Sequence, residues 1–132
     1  MSSLELRRDV VILACAISTG IHGALVPEHF AEGTGAGAGF VAATVLLAVA
    51  AILVTLRPAS ALALTGAPTV LTGLLISYAL ATTTGLPLLH PEPEPVDVFA
   101  IATKAIEAVG LLAALTLIRR PLVAITPQPK GT

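Results

Sequence analysis

"AGFVAATVLLAVAAILVTL", residues 38–56, contains no charged side chain from end to end. An apolar run of about 20 residues matches the hydrocarbon core of a bilayer, whereas a membrane β-strand needs only about 9–11. A backbone in lipid must satisfy its own hydrogen bonds, and a helix does so within one segment. This block therefore reads as a membrane-spanning helix, and the rest of the chain can be read outward from it.

Three more blocks of similar length flank it. On the N-terminal side is "VVILACAISTGIHGALV", residues 10–26, closed by Pro27. On the C-terminal side, Arg57 and Pro58 separate it from an apolar stretch of residues 59–83 that contains Pro68. Pro58 suits the first turn of a helix, and Pro68 should kink one, which membrane helices tolerate. The last block, residues 98–118, follows the proline-rich "PLLHPEPEPVD" and ends at Arg119 and Arg120. The whole chain is 55% hydrophobic and 11% charged, against about 25% charged residues in a soluble domain. The expectation is an all-α polytopic membrane protein, a four-transmembrane-helix up-down bundle. Its single domain would cover residues 1–121, with helices at about 9–27, 36–56, 59–83 and 97–118 and a disordered cytoplasmic tail at 122–132.

Orientation follows from where the basic residues stand beside the spans. Arg7 and Arg8 precede the first block, Arg57 lies between the second and third, and Arg119, Arg120 and Lys130 follow the fourth. The other two loops, 27–37 and 84–97, have no Lys or Arg and hold Glu28, Glu32, Glu92, Glu94 and Asp97. One topology satisfies every segment: both termini cytoplasmic, both acidic loops outside. A cleaved signal peptide is the alternative for block one. The run is long for that role, and its removal would leave three spans. A net charge of −1 gives no basis for a nucleic-acid partner. Cys15, the single cysteine, excludes an intrachain disulfide.

This topology gathers the chain's three histidines, His22, His29 and His90, on the acidic side. His22 lies about 7–8 Å below the outer end of the first helix at 1.5 Å per residue. Cys15, Ser18, Thr19, His22 and His29 share a face if that helix continues past Pro27. In the fourth helix, Lys104 and Glu107 lie about 9 and 14 Å inside the outer end. Their spacing of three permits pairing, and ionisable groups at membrane depth are functional candidates. Asp97 stands one heptad before Lys104, and Thr69, Thr72 and Thr83 have compatible spacings in the third helix. Gly20 and Gly23, and the pair Gly35 and Gly39, would permit close approach.

Imidazole and carboxylate together suit Zn²⁺ or Cu²⁺. His22, Glu28, His29 and His90 are the candidate ligands, with Glu32, Glu94 and Asp97 as secondary groups and Lys104–Glu107 as an inner polar floor. A b-type haem between two histidines is a variant of the same idea. The plain alternatives are solvated loop residues, a histidine bonded to a neighbouring helix, and a structural ion pair. No HExxH, CxxC, GxSxG or phosphate loop occurs, so no motif supports a named reaction.

"IHGALVPEHFAEG" and "TTTGLPLLHPEPEPVDVFAIATKAIE" resemble a pattern found in small bacterial membrane proteins of four helices. That pattern has a histidine in helix one, then "PEH", then a "TGxP" turn, a Glu before helix four and another within it. His22, Glu28, His29, Gly85, Pro87, Glu94 and Glu107 match it, over about half of the chain, while Gly33 departs from it where an aromatic residue is usual. The resemblance implies the four-helix topology, the bacterial cell (inner) membrane and these residues, and brings no activity with it.

Three functional expectations result. The first is an outward-facing His/Glu site for a transition metal or similar small ligand. The second is a small proton-coupled transporter that uses Glu107 and functions as a homo-oligomer. The third is a structural or accessory subunit with a membrane-protein partner, docked through the apolar second helix.

Overall fold

The computed structural model describes residues 1–89 and 91–118. Four helices follow one another: α1 (Ser3–Glu32), α2 (Thr34–Leu56), α3 (Ala61–Thr83) and α4 (Val98–Ile118). Each is long and apolar enough to cross a membrane, and the described residues form no strand. The expected disordered tail at 122–132 lies outside the described residues.

Local chemistry accounts for the ends. α1 begins one to two turns before the expected position because Ser2 and Glu5 form a capping box: Glu5 N–H donates to Ser2 Oγ at 3.2 Å and Ser2 N–H to Glu5 Oε2 at 2.6 Å. α3 begins later than expected, because Ser60 caps it through Ala63 N–H at 3.1 Å and leaves Pro58 in the preceding turn. Asp97 caps α4 by accepting from Ala100 N–H at 2.8 Å. At the other end of α3, Gly85 takes a left-handed φ of 73°, the conformation glycine adopts most easily after a helix.

α1 does not stop at Pro27 but runs on to Glu32. Proline removes one backbone donor and crowds the preceding turn. Packing of the added turn offsets that loss. Phe30 lies so close to Gly37 of α2 that any Cβ there would overlap its ring, and His29 stacks on Phe40 with centroids 3.5 Å apart. A single residue, Gly33, then joins α1 to α2.

The helices form an antiparallel ring in which α1 and α3 each pack against both α2 and α4 and meet each other only marginally. The core holds Val11, Cys15, Leu47, Ala50, Val54, Ala63, Ala67, Leu71 and Ala114. Most of its members are small, so the backbones come close, as at packed membrane-helix interfaces. α4 and α1 also come close, so that a Cβ on Gly110 would stand 2.5 Å from that of Ala14. Of the expected glycine contacts, Gly23 meets α2, where a Cβ would stand 3.4 Å from Thr44. Nothing approaches Gly20, and Gly35 and Gly39 pack against Leu88 and Leu89 of the α3–α4 loop rather than against a helix. Large apolar side chains such as Leu13, Ile17, Val45, Leu46, Val49, Ile52, Val109 and Leu112 point outward, while Ser18, His22, Thr103 and Glu107 are buried.

Candidate functional site

The buried polar groups come from one seam. On α1, Val11, Ala14, Cys15, Ser18 and His22 recur at helical spacing and form the inward face. On α4, Thr103, Glu107, Gly110 and Ala114 do the same. The Gly110–Ala14 contact sets the two backbones close together, so that one turn further along Ser18 meets Glu107.

Glu107 is completely buried and both its oxygens are satisfied. Ser18 Oγ donates to Oε1 at 2.5 Å, and Lys104 Nζ donates to Oε2 at 2.7 Å. The single hydroxyl proton of Ser18 is thereby used. The 3.2 Å contact between Ser18 Oγ and His22 Nδ1 must then have the ring nitrogen as donor. The same Nδ1 donates to the Ser18 carbonyl at 2.9 Å. This places the neutral ring's proton on Nδ1 and leaves the lone pair on Nε2, 3.9 Å from Glu107 Oε1. His29 repeats the arrangement one heptad later: Nδ1 donates to the Leu25 carbonyl at 2.9 Å, and Nε2 lies 3.9 Å from Glu32 Oε2. A carbonyl on the far nitrogen is a common support for a metal-ligating histidine.

Above this seam lies a cavity of about 780 Å³ at the acidic end of the bundle. Its floor is made by His22, Thr103, Lys104 and Tyr78, and its mouth by Glu28, His29, Glu32, Glu92, Glu94 and Asp97. Leu86 and Leu89 close one side, where Glu94 N–H ties the α3–α4 loop to the Ala81 carbonyl at 2.9 Å. The Lys104 ammonium stands 5.6 Å from the centre of the Tyr78 ring. The Tyr78 hydroxyl is buried and has no hydrogen-bond partner among the described residues.

The expected residues fall into two tiers. His22, Glu28, His29, Glu32, Glu94, Asp97 and Lys104 all line the cavity. Glu107 does not; it lies beneath Lys104 and holds it. His90 lies outside the described residues. Seven residues of α1 span about 10.5 Å, yet Phe40 is 5.3 Å from His22 and 3.5 Å from His29 between centroids. Phe40 thus touches both imidazoles, stacked on that of His29 and tilted to that of His22. Among the described residues no three His, Cys, Asp or Glu side chains group closely enough to hold a metal ion.

Thr83 and Thr69 do not join the floor either. Their hydroxyls donate to the carbonyls of Ala79 and Thr65 on their own helix. Thr19 turns back to Cys15 O in the same way. The residues missed from sequence are Phe40, Tyr78 and the bridging role of Ser18. Only Ser18 gave a signal, its spacing of four from His22; the ring positions depend on how α2 and α3 meet α1 and α4. Comparison with protein families, curated proteins and solved structures finds no match.

Proposed function

We propose that this chain is a multi-pass protein of a bacterial cell membrane that captures a small cation, a transition-metal ion of the Zn²⁺ or Cu²⁺ type or a comparable ligand, from the outer aqueous side. The observation that carries the reading is the cavity itself. Five carboxylates surround its mouth, and two imidazoles of fixed tautomer border it. Such a concentration of one charge sign in a cleft with apolar walls raises the local concentration of cations. The His29–Glu32 pair is the primary contact. Two ligands on a tetrahedral ion at about 2.1 Å are roughly 3.4 Å apart, and 3.9 Å between Nε2 and Oε2 requires only a small closure. Waters or His90 complete the set.

Membrane insertion is supported by the inverted distribution of side chains, large apolar outside and polar inside. With both termini cytoplasmic, Arg7, Arg8 and Arg57 lie on the inner side and the cavity opens outward, as the positive-inside rule requires.

Metal analysis of protein purified in mild detergent, followed by equilibrium titration with Zn²⁺ and Cu²⁺, tests the reading. The expected result is saturable uptake of one ion per chain. Protein that neither carries nor takes up either ion would contradict it.

A further inference from the structure

The cavity at the acidic end is far larger than a metal ion needs. Its volume of about 780 Å³ holds roughly 25 groups at about 30 Å³ each, the scale of a small organic molecule. The His29–Glu32 pair takes up only part of the mouth. Much of the wall is apolar, formed by Leu25, Phe40, Leu74, Leu86, Leu89 and Phe99. All six are half-buried or exposed rather than enclosed in the core, so an occupant can reach them.

The charge around this space is one-sided. Glu28, Glu32, Glu92 and Glu94 stand at the mouth, and loops 27–37 and 84–97 contain no Lys or Arg to offset them. Asp97 is partly engaged in capping α4. The floor has the opposite sign. Lys104 lies about 10.5 Å along α4 from Asp97 at 1.5 Å per residue, and its ammonium both borders the cavity and donates to Glu107. The space therefore runs from negative carboxylates, past leucine and phenylalanine side chains, to a positive group at the inner end.

We propose that this cavity takes an amphipathic organic monocation, an alkyl- or arylammonium whose head lies among the mouth carboxylates and whose apolar body lies between the leucines and the rings. The inference deepens the cation reading and rests on it. An anionic head would meet the carboxylates, and a second positive charge at the inner end would face Lys104. Both are selected against by repulsion.

The test is isothermal titration calorimetry of the full chain in a mild non-ionic detergent, with detergent alone as the blank. The probes are phenylbutylammonium, phenylbutyrate and the dication of diaminooctane. Phenylbutylammonium should bind about tenfold or more tighter than either of the others, the lower end of what a cleft of one charge sign achieves. Ser77 is exposed and lines the cavity on α3. Ser77→Trp should fill the space, abolish this binding and leave Zn²⁺ uptake at the mouth intact. Glu28→Gln combined with Glu92→Gln should weaken phenylbutylammonium about threefold, the scale of two exposed charge contacts. Equal binding of phenylbutylammonium and phenylbutyrate would overturn the proposal. So would a dication bound as tightly as the monocation, or binding that Ser77→Trp leaves unchanged. Uptake of Zn²⁺ or Cu²⁺ without phenylbutylammonium binding would overturn it and leave the cation site standing, whereas binding of neither would overturn both.

Discussion

Lys104→Met should lower the melting temperature of the detergent-solubilised protein by roughly 10 °C or more, and the double change Lys104→Met with Glu107→Gln should recover much of the loss. Glu107 is wholly enclosed and receives one bond from Ser18 and one from Lys104. Without the ammonium, a carboxylate remains in an apolar seam, and breaking a buried pair from one side costs about 3–5 kcal/mol. About 3 °C per kcal/mol suits a chain of this size. Glu107→Gln alone should cost less, for two structural reasons. The amide oxygen still accepts from Ser18, and Lys104 borders the cavity, where water can solvate its ammonium. Scanning fluorimetry or circular dichroism of the three variants measures this. Silent single variants would mean that the pair lies in water, and the seam described above would be wrong.

The second large effect concerns the mouth. His29→Phe should weaken Zn²⁺ or Cu²⁺ binding by about 100-fold or more, since even residues that only support a ligand are worth about 10–100-fold. Phenylalanine retains a ring to stack on Phe40, so the bend of chain from α1 into α2 should survive. Glu32→Gln should cost about tenfold, through the loss of one charged oxygen. His22→Phe should affect stability more than affinity, because His22 is buried and tied to Ser18. Titration of the three variants separates these roles. An unchanged affinity in His29→Phe would remove the mouth from the binding site.

The helical class was legible because it rests on the length and polarity of the blocks, which neither packing nor partners alter. The inward faces of α1 and α4 were legible for the same kind of reason. His22, Lys104 and Glu107 are too polar to face a solvent of hydrocarbon, so their spacing located the seam. The ends of the helices were harder. Pro27 reads as a stop in isolation, and the cost it imposes is offset only by Phe30 and His29 packing on α2, contacts between residues brought together by the fold. The Ser2–Glu5 capping box, in contrast, was present in the sequence as S-x-x-E and sets the start of α1. The contact of Phe40 with both imidazoles was not legible. A ring at that position follows from the one-residue turn at Gly33, which fixes how α2 runs back along α1. Thr83 has a compatible spacing, but spacing says nothing about whether a hydroxyl reaches across or turns back onto its own helix, as that of Thr83 does.

The most direct test of the account is the accessibility of the cavity in intact cells. Ser77 lines it on α3, and the native Cys15 is buried and contributes no background. A Ser77→Cys variant should react with a membrane-impermeant maleimide added from outside, and Zn²⁺ or Cu²⁺ at saturating concentration should slow that reaction. Labelling that appears only after the membrane is opened, or that the ions leave unchanged, would contradict an outward-facing cation site.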